Sequence, residues 1–250
     1  MSVGAARKSE SGPLSFLPVR AIWTLALNNQ LTAPAAFDAA HAFFPIAGDR
    51  LVAYDIATGV QQWMVDARPR LRPAIGDGLV ISVEPDALVA RRMSDGSVDW
   101  QRALTDAVAV PPVWDNGWLV LATENGAVLT FRARDGELLW RKDVGARAHG
   151  SAALAADRVY IPTEDGRLIA LQVEDGATLW ERRLGGAVGD VLALDDRLYA
   201  GTNDQFLYCV MAQDGRVDWR WRTGGPVVGA PGLTSLAPSA QAKARWSVRW

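Results

Sequence analysis

One cysteine and two histidines are the whole supply of thiol and imidazole side chains in this chain, and that scarcity excludes several chemistries at once. Cys209 alone can form neither an intrachain disulfide nor a cysteine-based metal cluster. As the lone thiol it reads as a buried structural residue, not a nucleophile. His41 and His149 stand far apart with no matching ligands beside them, so neither reads as a metal site. No apolar run approaches the roughly 18 residues of a membrane-spanning helix. Charge of one sign is also missing: 26 Lys+Arg against 28 Asp+Glu leave −2, which offers no electrostatic footprint for nucleic acid or an anionic membrane. Helical periodicity, apolar residues recurring every 3.6 positions over ten or more residues, is absent. The amino end, MSVGAARKSESGPLSFLPVRAIW, carries early positive charge, but Pro18 and Arg20 interrupt its apolar stretch. It does not read as a signal peptide.

What the chain has in excess is tryptophan, eleven among 21 aromatic residues. Trp23, Trp63, Trp100, Trp140, Trp180 and Trp219 stand 40, 37, 40, 40 and 39 residues apart. A fixed period between 20 and 50 residues is the signature of a repeat architecture. Four positions before the last five stand Gly59, Gly96, Gly136, Gly176 and Gly215; ten positions before them stand Ala53, Ala90, Thr130, Ala170 and Cys209, a column of small residues.

Inside one unit the signal is strand. In DRVYIPTEDGRLIALQVEDGATLWERRL (157–184), short β-branched and aliphatic runs alternate with Asp-Gly turn dipeptides. Asn116-Gly117, Asn125-Gly126, Asp135-Gly136 and Asp77-Gly78 mark the same turns in neighbouring units. Four antiparallel strands per unit of about 40 residues is the arithmetic of a β-propeller blade. The expected fold is therefore all-β, with five complete four-stranded blades at about 33–66, 73–104, 111–144, 150–184 and 189–223. In this reading the glycine closes the turn into the outermost strand, and the tryptophan packs between its blade and the next. An indole buries roughly 150–250 Å², worth about 4–6 kcal/mol at about 25 cal/mol per Å².

LVAYDIATGVQQW (51–63) contains Ala53, Asp55, Thr58, Gly59 and Trp63 in the spacing Ala-x-Asp-x-x-Thr-Gly-x-x-x-Trp. This resembles the tryptophan-docking motif of PQQ-type propellers, a family of quinoprotein dehydrogenases and non-catalytic relatives, one of them the propeller lipoprotein of the bacterial outer-membrane assembly machinery. The other units keep the Gly/Trp pairs (Gly96 and Trp100, Gly136 and Trp140, Gly176 and Trp180, Gly215 and Trp219) but hold Arg92, Arg132, Gln172 and Met211 in place of the aspartate. The resemblance spans about residues 20–232 and implies a ring of seven or eight blades. It also implies a periplasmic or cell-envelope setting, which the sequence itself does not indicate. Catalytic relatives need a quinone and calcium site and a disulfide of adjacent cysteines. This chain cannot form that disulfide, so the expectation is no cofactor and no catalysis. The alternatives are a quinoprotein or other propeller enzyme fragment lacking its catalytic blades, and a sensor propeller cut from a longer chain.

The ends depart from a whole ring. Residues 1–19 read as a flexible segment, and Trp23 as part of an outermost strand with no blade before it. VVGAPGL (227–233) has the character of a sixth blade's innermost strand. The register fails beyond it, through an irregular tail at 233–250 in which Trp246 and Trp250 are out of phase. The reading is of a chain cut short or altered after about 232. An unfinished blade of this kind makes self-association an expectation.

One column suggests binding. Sixteen residues before the tryptophans stand Glu84, Glu124, Glu164 and Asn203, with Asp165 and Asp204 after the last two. They fall in the turns between second and third strands, which in a propeller share a rim with the blade-to-blade connectors carrying Arg68, Arg70, Arg72 and Arg147. A mixed-charge rim on a rigid scaffold suits a protein or peptide partner, although solvated turns of this composition are common without one. The Gly-rich GGAVG (185–189) and GGPVVG (224–229) recur at one position of the repeat with no helix after them, and read as connectors, not phosphate loops.

Overall fold

Every described element is a strand. The computed structural model describes residues 24, 25, 27 and 29–229; those from Leu25 onward belong to one unit. Trp23, residues 1–19, most of the expected sixth-blade strand and the tail with Trp246 and Trp250 lie outside the described residues.

Twenty strands form five four-stranded antiparallel sheets, each built from four consecutive strands. Blade 1 comprises β1 (Ala36–Phe37), β2 (His41–Ile46), β3 (Arg50–Asp55) and β4 (Gln61–Asp66). Blade 2 comprises β5 (Ala74–Gly76), β6 (Leu79–Glu84), β7 (Ala87–Arg92) and β8 (Val98–Ala103). Blade 3 comprises β9 (Val113–Asp115), β10 (Trp118–Ala122), β11 (Ala127–Arg132) and β12 (Glu137–Asp143). Blade 4 comprises β13 (Ala153–Ala155), β14 (Arg158–Pro162), β15 (Arg167–Gln172) and β16 (Thr178–Arg183). Blade 5 comprises β17 (Val188–Leu194), β18 (Arg197–Thr202), β19 (Phe206–Met211) and β20 (Val217–Arg222). Turn chemistry follows the sequence: Asp77-Gly78 (φ 50° and 75°) and Asn116-Gly117 (φ 46° and 81°) both adopt the paired left-handed conformations of a tight hairpin.

The small column lies directly opposite the tryptophans. Ala53 pairs with Trp63, Ala90 with Trp100, Thr130 with Trp140, Ala170 with Trp180 and Cys209 with Trp219, and a β-bulge follows each small residue. All five small residues are fully buried, which explains their size: an indole lies across each of them.

The glycines have a second role. The indoles of Trp63, Trp100, Trp140 and Trp180 each dock on the following blade, against the glycine of that blade's outer turn. The Nε1–H of Trp63 donates to Met93 O (2.7 Å), Trp100 to Ala133 O (2.9 Å), Trp140 to Val173 O (2.7 Å) and Trp180 to Ala212 O (3.0 Å). Three residues beyond each acceptor stands Gly96, Gly136, Gly176 or Gly215, where an added Cβ would come within 2.8, 2.6, 2.8 or 2.5 Å of the docked ring. The glycine is thus required twice, by its positive φ of 69–75° and by the neighbour's indole.

Each main apolar cluster joins two adjacent blades. Phe43, Leu51 and Trp63 meet Val80 and Met93; Ile81, Leu88 and Trp100 meet Leu119 and Phe131. Val120, Val128 and Trp140 meet Val159 and Leu171; Tyr160, Leu168 and Trp180 meet Leu198 and Tyr208. On the other face of blade 1, Leu25 and Leu27 pack against Phe44, Val52 and Tyr54. They follow Trp23 at the intervals at which Val65 and Ala67 follow Trp63, as an outermost strand would. Past blade 5, Val227 N donates to Thr202 O (3.2 Å), repeating 39 residues on the bond from Val188 N to Thr163 O (3.1 Å). On the blade 5 face turned away from blade 4, Tyr199, Leu207 and Cys209 are buried within the single chain, while Trp221 is 59% exposed.

Candidate functional site

The rim that carries the blade-to-blade connectors is knitted by a repeated pair of backbone bonds. The residue following each outer strand donates to the second turn of its own blade: Ala67 to Asp49 O, Leu104 to Asp86 O, Val144 to Gly126 O and Leu184 to Gly166 O, all at 2.8–3.0 Å. The incoming connector is tied to the same turn in blades 3 to 5, where Glu124 N donates to Ala107 O (2.8 Å), Glu164 N to Arg147 O (3.0 Å) and Asn203 N to Ala187 O (3.1 Å).

Within these turns a buried threonine supplies the lock. The Thr123 hydroxyl donates to Ala127 O (3.0 Å) and accepts Ala127 N–H (2.9 Å); Thr163 does the same with Arg167 (2.8 and 3.0 Å). Thr202 repeats the donation to Phe206 O (3.1 Å). This threonine stands one residue before the Glu/Asn column, at a repeated position that is visible in the sequence although its lock on the turn is not.

On this frame Glu124, Glu164 and Asn203 are exposed. Arg147 stands between the two glutamates, with Nη2 2.9 Å from Glu124 Oε1 and Nη1 3.9 Å from Glu164 Oε2. The hydrogen bond to Glu124 is the main cause holding the guanidinium above its ordinary pKa; the charges of Glu124 and Glu164 add to it. Burial pushes the Asp165 carboxyl up, but hydrogen bonds from Thr163 and Arg167 outweigh it and leave the group below the usual value.

Glu84 differs from the rest of its column. Its carboxylate is 14% exposed and pairs at 2.6 Å with Arg91, itself 7% exposed. It also accepts from the Ser82 hydroxyl (3.2 Å) and from Arg68 N–H (3.3 Å). Arg91 reaches across the junction to Asp66 O (3.2 Å), so this glutamate serves to tie blade 1 to blade 2. Arg68, Arg70 and Arg72 are exposed, and among the described residues no ion pair links them to Glu84, Glu124 or Glu164.

Two cavities were not marked by the repeat. One of about 580 Å³ lies between blades 2 and 3, walled by Leu104, Val108, Leu129, Phe131 and Leu138 and edged by the Asp106–Arg141 pair (3.0 Å). The other, about 420 Å³, is lined by inner-strand and connector residues of all five blades, among them Phe37, Arg72, Trp114, Ser151 and Asp190. The Trp114 ring lies flat on Gly76, where a Cβ would come within 2.0 Å of it. Neither cavity holds a cluster of metal-ligating side chains, and among the described residues no group of three or more His, Cys, Asp or Glu could hold a metal ion. His41 pairs with Asp38 (3.3 Å), His149 is exposed, and burial pushes the Cys209 thiol up, away from its reactive form. Among the described residues no helix is long and apolar enough to cross a membrane.

A family model described as outer membrane protein assembly factor BamB matches residues 20–109 and again 107–190. No curated protein matches by sequence. Among solved structures, BamB from Moraxella catarrhalis is similar over 82% of this chain and 78% of its own, with a TM-score of 0.56 and 16% identity. The computationally designed Ika8 protein is similar with a TM-score of 0.71 and 15% identity, again over 82% of this chain. This chain spans 65% of the designed protein's length. At these identities the structural likenesses show the fold.

Proposed function

The chain belongs to the family of the outer membrane protein assembly factor BamB, and on that footing we propose that it is a non-catalytic propeller that binds a protein partner in the bacterial cell envelope. The observation that supports this reading is the connector rim. Backbone bonds and buried threonines hold its turns rigid, while Glu124, Glu164 and Asn203 stay exposed at matching positions of three successive blades. Loops fixed on a rigid scaffold present side chains at little entropic cost, which suits recognition of a folded or extended partner. The non-catalytic part of the reading is supported by the chain's own chemistry: Cys209 has no neighbouring cysteine with which to form the disulfide of the catalytic relatives.

Site-specific photo-cross-linking tests the reading. A photoreactive residue at 124, 164 or 203 should trap one discrete envelope protein, and one placed at 95 or 175, in the outer turns on the opposite rim, should not. Diffuse labelling that is equal from both rims would count against it. Purified protein incubated with PQQ and calcium should emerge from gel filtration without quinone absorbance; stoichiometric retention would overturn the non-catalytic part.

A further inference from the structure

Most arginines placed beside the rim's acidic turns are already paired. Arg147 is taken by Glu124 and Glu164, Arg141 by Asp106, and Arg167 by Asp165 and Glu181. The connector between blades 1 and 2 is the exception. In the run Arg68-Pro69-Arg70-Leu71-Arg72-Pro73, the three arginines are exposed, both prolines are buried and Leu71 is half-buried. None of the three guanidinium groups has an ion pair or hydrogen-bond partner among the described residues. Glu84, the acid nearest in the hydrogen-bond network, is committed to Arg91. Asp49 lines the same shallow cavity of about 340 Å³ as Arg68 and Arg70 and pairs with neither. Among the described residues no other stretch places three unpartnered arginines within five positions.

The backbone beneath them is fixed. Ala67 N donates to Asp49 O (2.9 Å), Arg70 N to Val83 O (3.1 Å) and Arg68 N to a Glu84 carboxylate oxygen (3.3 Å), so the strap is fastened to both blades it joins. Two prolines lock φ along it. The cations are therefore displayed from a pre-organised segment, and ordering that segment costs a ligand little.

We propose that Arg68, Arg70 and Arg72 form the recognition surface for an extended acidic segment of a protein partner; the proposal rests on the protein-binding reading above and names the chemistry of the partner. The guanidinium fork matches carboxylates in two-point contact. Three cations spread along this strap suit a ligand that presents several carboxylates along its length, as an extended acidic segment does. Nucleic acid is a poorer match: three cations on a chain of net charge −2 fall short of the roughly 6–10 phosphate contacts of a typical binder. A flat anionic membrane would also meet exposed Glu124 and Glu164 on the same rim, whereas a short segment lies over the strap alone.

Fluorescence anisotropy with the full chain decides the matter, using a labelled ten-residue peptide of alternating glutamate and serine and its lysine counterpart. The acidic peptide should bind, with affinity falling as salt is raised, and the lysine peptide should not. Arg68→Glu/Arg70→Glu/Arg72→Glu should weaken binding by about tenfold or more, the triple lysine variant by less, and Arg134→Ala, in the outer turn of blade 3 on the opposite rim, hardly at all. Equal binding by wild type and the glutamate variant overturns the proposal, as does no binding at all, or tighter binding of duplex DNA or phosphatidylglycerol vesicles than of the peptide. Cross-linking from position 124 or 164 in the glutamate variant separates the two readings. A trapped protein there, with peptide binding that ignores the arginines, leaves the binding function standing and removes the strap from it.

Discussion

Gly176 and Gly78 have nearly the same backbone conformation, φ 73° and 75°, yet different surroundings. An added Cβ at Gly78 meets nothing within 4 Å, whereas at Gly176 it would come within 2.8 Å of the Trp140 ring. Both alanine substitutions carry the left-handed penalty of roughly 1–2 kcal/mol. Only Gly176→Ala adds displacement of a docked indole, so it should be the more destabilising by about 1–3 kcal/mol in urea denaturation. Equal losses would mean that the glycine serves its turn alone. Cys209 gives a second residue-scale expectation. Fully buried opposite Trp219, and with its thiol pushed up by burial, it should react with a thiol reagent only after unfolding. Fast modification of the native protein would contradict the packing.

At the scale of the element, the outer turns are closed by carboxylates. Asp55 accepts from Thr58 N–H (2.8 Å) and hydroxyl (2.7 Å), and Asp95 from Ser97 N–H (2.9 Å) and hydroxyl (2.6 Å). The hydroxyl bond is the leading cause that lowers each carboxyl below its ordinary 3.8. A depressed folded value means that the stabilisation is fully present above pH 3.8 and is lost as pH falls through the lowered value. Thermal stability should therefore decline as pH is taken below about 4. Asp95→Asn, which keeps an acceptor oxygen, should flatten part of that decline; an unchanged pH profile would remove Asp95 from the account. These turns and the strands between them were legible in the sequence because their determinants are local: Asp-Gly pairs, alternating apolar runs and a tryptophan at fixed spacing. The partner of each glycine was not. The indole it receives lies 33–36 residues earlier in the preceding unit, while the tryptophan beside it in sequence docks elsewhere. The rim charges behaved likewise. Glu84 and Glu124 occupy one column, but Arg91 buries the first while the second stays exposed beside Arg147.

At the scale of the molecule, the four main apolar clusters each join two neighbouring blades and none spans three. Stability should then behave as a sum of blade terms and nearest-neighbour junction terms. That makes additivity a test of the architecture. Trp63→Phe and Trp180→Phe each remove one indole donor, to Met93 O and Ala212 O, at junctions with two others between them. Their losses should add within about 0.5 kcal/mol. Trp140→Ala and Gly176→Ala address one junction from its two sides. Trp140→Ala should cost about 3–5 kcal/mol through the cavity it leaves. Once the indole is gone, however, a Cβ at position 176 has nothing to displace, and Gly176→Ala should then cost only its backbone term. The double variant should accordingly be more stable than the sum of the singles predicts, by about 1–3 kcal/mol. Denaturation of the two cycles checks both halves. Coupling between positions 63 and 180, or its absence between 140 and 176, would contradict a chain held together blade to blade by one indole and one glycine at each junction.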